Sequence, residues 1–189
     1  EANHRIVLGE SLSLIACPVL FAVICISLFS QELVGLVSRS EEYQDSIHLV
    51  GGLALYFSFF IFKEIVDIGP RFKERTIYIS VNYLFSLIIN IILLLLLIRY
   101  WGEKGVVISM ICTNIILFVS SWYFSNRLYP INFRLMRFSF FVIPAFCLIL
   151  LTMYYKYDLE LRLIMLLGSV LFYGSLFLVS IKSYRKRFI

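Results

Sequence analysis

The chain has 189 residues, is 61% hydrophobic with a mean hydropathy of +0.91, and carries a net charge of +5. Soluble domains are ~45–50% apolar, so a globule collapsed in water is excluded. The basic residues are spread over the gaps between apolar runs, which excludes a nucleic-acid-binding face.

Apolar stretches at about 11–31, 46–66, 76–98, 106–125, 136–155 and 161–181 fill most of the sequence. A helix rises ~1.5 Å per residue, so ~20 apolar residues cross a hydrocarbon core of ~30 Å. The predicted fold class is an all-α membrane protein with six transmembrane helices and no water-soluble domain. Stretch one carries Pro18, which removes a backbone hydrogen bond and predicts a kink. The gap 32–45 is acidic (Glu32, Glu41, Glu42, Asp45) and is predicted to be an external loop. In stretch two, His48, Gly52, Tyr56 and Lys63 fall close to one helical face. That small, polar face predicts contact with protein or with a wet cavity rather than with lipid. The following gap, from Asp67 to Arg75, combines a Gly69-Pro70 turn signal with dense charge.

Stretch three places Asn82, Ser86 and Asn90 at i, i+4 and i+8, a single polar stripe expected to face other helices. The short connection after it contains Gly102 and Gly105, which permit the tight reversal of an antiparallel pair. Stretch four aligns Ser109, Thr113 and Ser120, with Asn114 beside them. The gap 126–135 holds Pro130 and then basic residues among apolar ones, and is predicted to lead into stretch five as a short interfacial segment. Stretch five carries Pro144. Stretch six carries Gly168 and Gly174 and runs into a Lys/Arg tail. The polar stripes predict that helices two and three face inward and that helices five and six lie against lipid.

Charge sets the orientation. Arg5, Lys63, Arg71, Lys73, Arg75, Arg127, Arg134, Arg137, Lys182, Arg185, Lys186 and Arg187 fall on one side, 12 of the 17 basic residues. Arg39, Arg99, Lys104, Lys156 and Arg162 fall on the other. Basic residues stay cytoplasmic, so both termini are predicted inside, as an even number of spans requires. Tyrosines and tryptophans such as Tyr100, Trp101, Tyr155 and Tyr157 cluster near the predicted boundaries, where amphipathic rings prefer to sit. The sequence begins at Glu1 and has no signal peptide, and it is expected to be the C-terminal piece of a longer chain.

Cys17, Cys25, Cys112 and Cys147 lie inside apolar stretches with no metal-ligand spacing, and are read as small buried hydrophobes. Hydrolase, phosphate-loop and metal motifs are absent, so no enzyme activity, metal or cofactor is expected. Carboxylates are essentially missing from the predicted spans.

The order of several short motifs resembles the C-terminal half of a polysaccharide flippase of the multidrug/oligosaccharidyl-lipid/polysaccharide exporter superfamily. Pro18 supplies that family's kinked span, and Tyr43-Gln44-Asp45-Ser46 its external lead into the next. Gly69, Lys73 and Thr76 stand in the cytoplasmic loop, and Asn90 lies on the span after it. Gly102-Glu103-Lys104-Gly105-Val106 matches the short reversal, and Ser125-Asn126-Arg127 starts the basic gap. Val106-Val107-Ile108-Ser109 replaces the family's usual alanine-rich run. The resemblance implies that residues 1–189 form the C-terminal membrane domain, the last six of about fourteen helices in a two-bundle transporter. It implies a bacterial inner-membrane protein that moves an undecaprenyl-pyrophosphate-linked oligosaccharide, such as an O-antigen unit, between leaflets for surface polysaccharide biosynthesis. Its partners would be membrane lipid, the N-terminal bundle of the same protein and a polysaccharide polymerase. A multidrug or lipid-precursor exporter of the same superfamily is the alternative, and a non-transporting assembly subunit is a third reading.

The candidate substrate path comprises His48, Tyr56, Asn82, Ser86 and Asn90. A histidine at a helix end also suits headgroups, and the Asn/Ser stripe also suits interhelical hydrogen bonds. The candidates for holding phosphate at the cytoplasmic mouth are Lys63, Arg71, Lys73 and Arg75, because ammonium and guanidinium groups pair with phosphate. The same residues also serve topology alone. Lys63, Glu64 and Asp67 are read either as a cytoplasmic gate or as a solvated helix end.

Overall fold

The structure, a computed structural model, describes residues 2–37, 46–131, 133–155 and 157–188. Among them all regular structure is helical: α1 (Ala2–Leu28), α2 (Ser30–Val37), a 3-10 turn (Ile47–Leu49) running into α3 (Val50–Val66), α4 (Ile68–Phe72), α5 (Ile77–Leu128), α6 (Leu135–Tyr154) and α7 (Leu159–Phe188). Five helical segments among the described residues are long and apolar enough to cross a bilayer: Leu8–Leu28, Ile47–Phe72, Ile77–Leu128, Leu135–Tyr154 and Leu159–Lys182. Helices satisfy their own backbone groups, which lipid cannot do. The chain is a multi-pass membrane protein.

The predicted third and fourth stretches share the 52-residue run of α5, which is broken at one residue, Gly102 (φ 55, ψ −133). In a straight helix, residues 39 apart would lie ~58 Å from each other. Asn82 Nδ2 instead donates to Ser121 Oγ at 2.8 Å. The two arms, 77–101 and 103–128, therefore run antiparallel. Asn82 Nδ2 also donates to the Leu117 carbonyl (3.3 Å), and Ser120 Oγ donates to Asn82 Oδ1 (2.6 Å). Nearer the turn, Asn90 Nδ2 donates to Thr113 Oγ1 (3.1 Å). Gly102 supplies the left-handed φ that other residues resist. A side chain at Gly105 would collide with the backbone carbonyl of Leu97. In a background with the native cysteines replaced, cysteines at Asn82 and Ser121 are expected to cross-link under mild oxidation. Gly105→Leu should abolish that cross-link by splaying the arms. Undiminished cross-linking in the Gly105→Leu chain would refute this account of the reversal.

Several connections depart from the sequence reading. The predicted external loop 32–45 begins as α2, which carries exposed Leu33, Leu36 and Val37, the surface of a short interfacial helix. Residues 38–45, including Tyr43-Gln44-Asp45 of the resemblance, lie outside the described residues. The charged loop after stretch two is largely the short helix α4. Pro70 is tolerated there because it falls in the first turn, where an amide has no helical partner. The turn out of α4 uses Glu74 in a left-handed conformation (φ 54) with no glycine to signal it. The basic tail continues α7 to Phe188.

The chain divides into two compact units, Glu1–Leu12 with Tyr56–Phe133, and Ser13–Leu55 with Arg134–Ile189. In the first, α4 packs on α5, where Gly69 lets Ser125 approach its backbone. Phe59 meets Phe118 edge-on, with ring centroids 6.3 Å apart. In the second, the buried Tyr173 of α7 donates its hydroxyl proton to the Phe141 carbonyl of α6 (2.7 Å) and accepts the Cys17 thiol of α1 at its own carbonyl (3.1 Å). A side chain at Gly51 would strike Ser27, so α1 and α3 also pack closely there. Half of the most apolar window of α1 is buried, against 22% in α6, 17% in α7 and 11% in α5. Helices α6 and α7 leave most of their apolar windows exposed, and α5 leaves still more. The first arm of α5 fully buries only Asn82 and Ser86 and leaves Val81, Leu84, Phe85, Ile88 and Ile92 exposed.

Candidate functional site

In the first unit, the end of α3 builds a charge cluster inside an apolar helix. Lys63 and Asp67 are each only 1% exposed. Lys63 Nζ lies 2.5 Å from Asp67 Oδ2, one turn on, and 3.1 Å from Glu64 Oε1. The Tyr83 ring of α5 covers the ammonium, its centroid 3.7 Å from Nζ, a cation–π contact strengthened by the absence of water. The Tyr83 hydroxyl donates to Glu64 Oε1 at 3.3 Å, and Glu64 Oε2 pairs with the Arg71 guanidinium of α4. Asp67 caps α4 by position but makes no side-chain bond to its amides, because its carboxylate is committed to Lys63. Two cations and two carboxylates thus balance, the enclosed Lys63 and Asp67 at the dry end, where an unpaired charge would be costly, and Glu64 and Arg71 towards the surface.

The other predicted site residues are dispersed. Tyr56 is half-buried beside Phe57, and its carbonyl accepts Asn114 Nδ2 at 2.9 Å. Asn82 and Asn90 bond to the opposite arm of α5, the interhelical alternative in the sequence reading. Ser86 is buried between them, and its hydroxyl has no hydrogen-bond partner among the described residues. Of the four phosphate candidates, Lys63 is enclosed among carboxylates, while Arg71, Lys73 and Arg75 are exposed. Arg75 lines a hollow with Tyr78, Phe124, Arg127 and Leu128 at the open end of the α5 hairpin.

His48 belongs to the second unit, apart from Tyr56 and Lys63. It lines a cavity of ≈ 330 Å³ formed with the ends of α1 and α6 and the starts of α2 and α7. The sequence pattern marks the Tyr155 and Tyr157 of this cavity only as membrane-boundary aromatics and Arg162 only as a topology charge.

Two sequence expectations need correction. Carboxylates are not missing from the membrane helices. The apolar window of α1 starts at Leu8, so Glu10 lies inside it, 2% exposed, and the Ile47–Phe72 run includes Glu64 and Asp67. The predicted boundaries at 11 and 66 leave Glu10 and Asp67 just outside. The end of stretch two is also no solvated boundary, since Lys63 and Asp67 are enclosed. Among the described residues no three His, Cys, Asp or Glu side chains group to hold a metal ion. Compared with protein-family models, curated proteins and solved structures, the chain matches none.

Proposed function

We propose that the chain is the C-terminal helical part of a membrane transporter that flips a lipid-linked oligosaccharide across the bacterial inner membrane. The observation that carries the proposal is the enclosed Lys63–Asp67 pair with Glu64, Arg71 and Tyr83 around it. Ionisable groups inside membrane helices are expensive, and their usual reward is a pathway or a moving part. The class of cargo rests on the ordered motif resemblance, whose reversal coincides with the break at Gly102. On this reading the two arms of α5 cross separately, which makes six crossings with both termini cytoplasmic. The bundle would rock against a second one about a shared polar cavity, the sugar crossing in the cavity and the prenyl tail in lipid. Opening would break and re-form the α3–α4 charge cluster. Deletion of the gene should accumulate lipid-linked oligosaccharide facing the cytoplasm and deplete surface polysaccharide. Unchanged surface polysaccharide in the deletion strain sinks the proposal.

One observation favours a second reading. Glu10 is a buried carboxylate in a membrane helix, the kind of group an ion-coupled exporter of small amphiphiles uses. Unchanged polysaccharide together with new drug sensitivity, reproduced by Glu10→Gln alone, would select that exporter.

A further inference from the structure

We infer that the cavity at the end of the second unit is a binding site for a neutral saccharide. Each element contributes a terminus to it: α1 ends there at Leu28, α2 begins, the 3-10 turn brings His48, α6 runs out at Tyr155 and α7 supplies Arg162. A volume of ≈ 330 Å³ falls within the ~300–1,000 Å³ of small-ligand sites.

Among the described residues its lining charge is already paired. Arg162 donates from Nη1 to Glu32 Oε1 (2.9 Å), from Nη2 to Gln31 Oε1 (2.9 Å) and from Nε to the Tyr157 carbonyl (2.8 Å). All three nitrogens are engaged, so this guanidinium acts as a strut in the wall and not as a free anion receptor. Ser27 and Thr152 likewise bond to each other at 2.6 Å. The groups left facing the cavity without a hydrogen bond among the described residues are His48, Ser30 and the phenols of Tyr155 and Tyr157. They are hydrogen-bond donors and acceptors of the kind that match sugar hydroxyls. The rings of Tyr155 and Tyr157 stand 6.4 Å apart at 45°, two apolar faces on which the C–H face of a pyranose can lie. Hydroxyl, phenol and imidazole groups beside paired rings, with the one lining cation among the described residues already committed, select a polyol over a phosphate. The site would hold the sugar of the cargo proposed above, and to that extent the inference rests on that reading.

The test uses the whole chain in nanodiscs prepared without sugar detergents. The probes are free N,N′-diacetylchitobiose, free maltose and an undecaprenyl-pyrophosphate-linked disaccharide, followed by saturation-transfer NMR or equilibrium dialysis. At least one free disaccharide should bind saturably, with inorganic phosphate and choline failing to compete. His48→Ala and Tyr155→Ala should each weaken binding tenfold or more, and His48→Gln should retain most of it. If an alanine variant fails to fold, Tyr155→Phe and Tyr157→Phe, which keep the rings, should still weaken binding measurably. Absence of saturable binding by either free disaccharide overturns the inference, as does competition by phosphate or choline. Undiminished binding in variants of unchanged melting temperature also overturns it. Binding of the lipid-linked form alone assigns the cavity to the carrier and overturns it as well. None of these outcomes depends on transport: a chain that binds sugar without flipping it defeats only the transport reading, and one that flips without binding here defeats only this inference.

Discussion

Replacing Lys63 with methionine is expected to destabilise the protein by ~3–5 kcal/mol, the cost of leaving a buried charge without its partner. Asp67 is 1% exposed, and Lys63 is its cation at 2.5 Å. Removing the ammonium also strips the cation from the face of Tyr83 and leaves Glu64 with the Arg71 guanidinium and the Tyr83 hydroxyl. The double replacement Lys63→Met with Asp67→Leu should behave differently. It exchanges an ion pair for apolar side chains of similar volume, a change that is often neutral or stabilising. Thermal unfolding in nanodiscs should therefore show a large loss in the single variant and near-complete recovery in the double. If the proposed transport function holds, transport should not recover with stability, because the double variant has no ion pair to break and re-form. A single variant as stable as the parent would show that the pair is not enclosed as described. A double variant with normal transport would show that the cluster is structural and no gate.

Much of the fold was legible because lipid imposes a length and a polarity on each crossing. The apolar runs located every long helix, and Gly102 was identified as a reversal point. The stripe of Asn82, Ser86 and Asn90 was rightly expected to face helices, since an amide has nowhere else to be satisfied in a bilayer. Connections were less legible. Short helices such as α2 and α4 have no periodic signal long enough to read, and Glu74 takes a left-handed turn that sequence assigns to glycine.

The sites were partly hidden for a related reason. Lys63, Glu64 and Asp67 were visible as a cluster, but the sequence does not say whether water reaches them. That depends on α4 continuing past Asp67 and on Tyr83, which lies 19 residues beyond Glu64 and closes over the ammonium. The cavity of the second unit joins residues such as Ser27 and Thr152, which are 125 apart in sequence. Its tyrosines look like any boundary aromatics until the fold sets two of them side by side.

A cysteine placed at Glu103 is expected to react almost completely with a membrane-impermeant maleimide in intact cells, and one placed at Lys73 scarcely at all. Native cysteines would first be replaced by alanine. Both positions are exposed, so access to solvent does not distinguish them. They sit at opposite ends of the α5 hairpin. Because its arms run antiparallel, the open end carries Lys73, Arg75 and Arg127, while the closed end carries Arg99 and Lys104 around Gly102. The sequence reading puts 12 of the 17 basic residues on the side it assigns to the open end. Keeping basic residues on the cytoplasmic side is the dominant determinant of orientation for loops this short. Permeabilising the cells should make Lys73→Cys reactive and leave Glu103→Cys unchanged. The opposite pattern would invert the protein and place the α3–α4 charge cluster at the outer face, where a cytoplasmic gate has no meaning. Equal labelling of both positions in intact cells would mean that the α5 hairpin does not cross the bilayer.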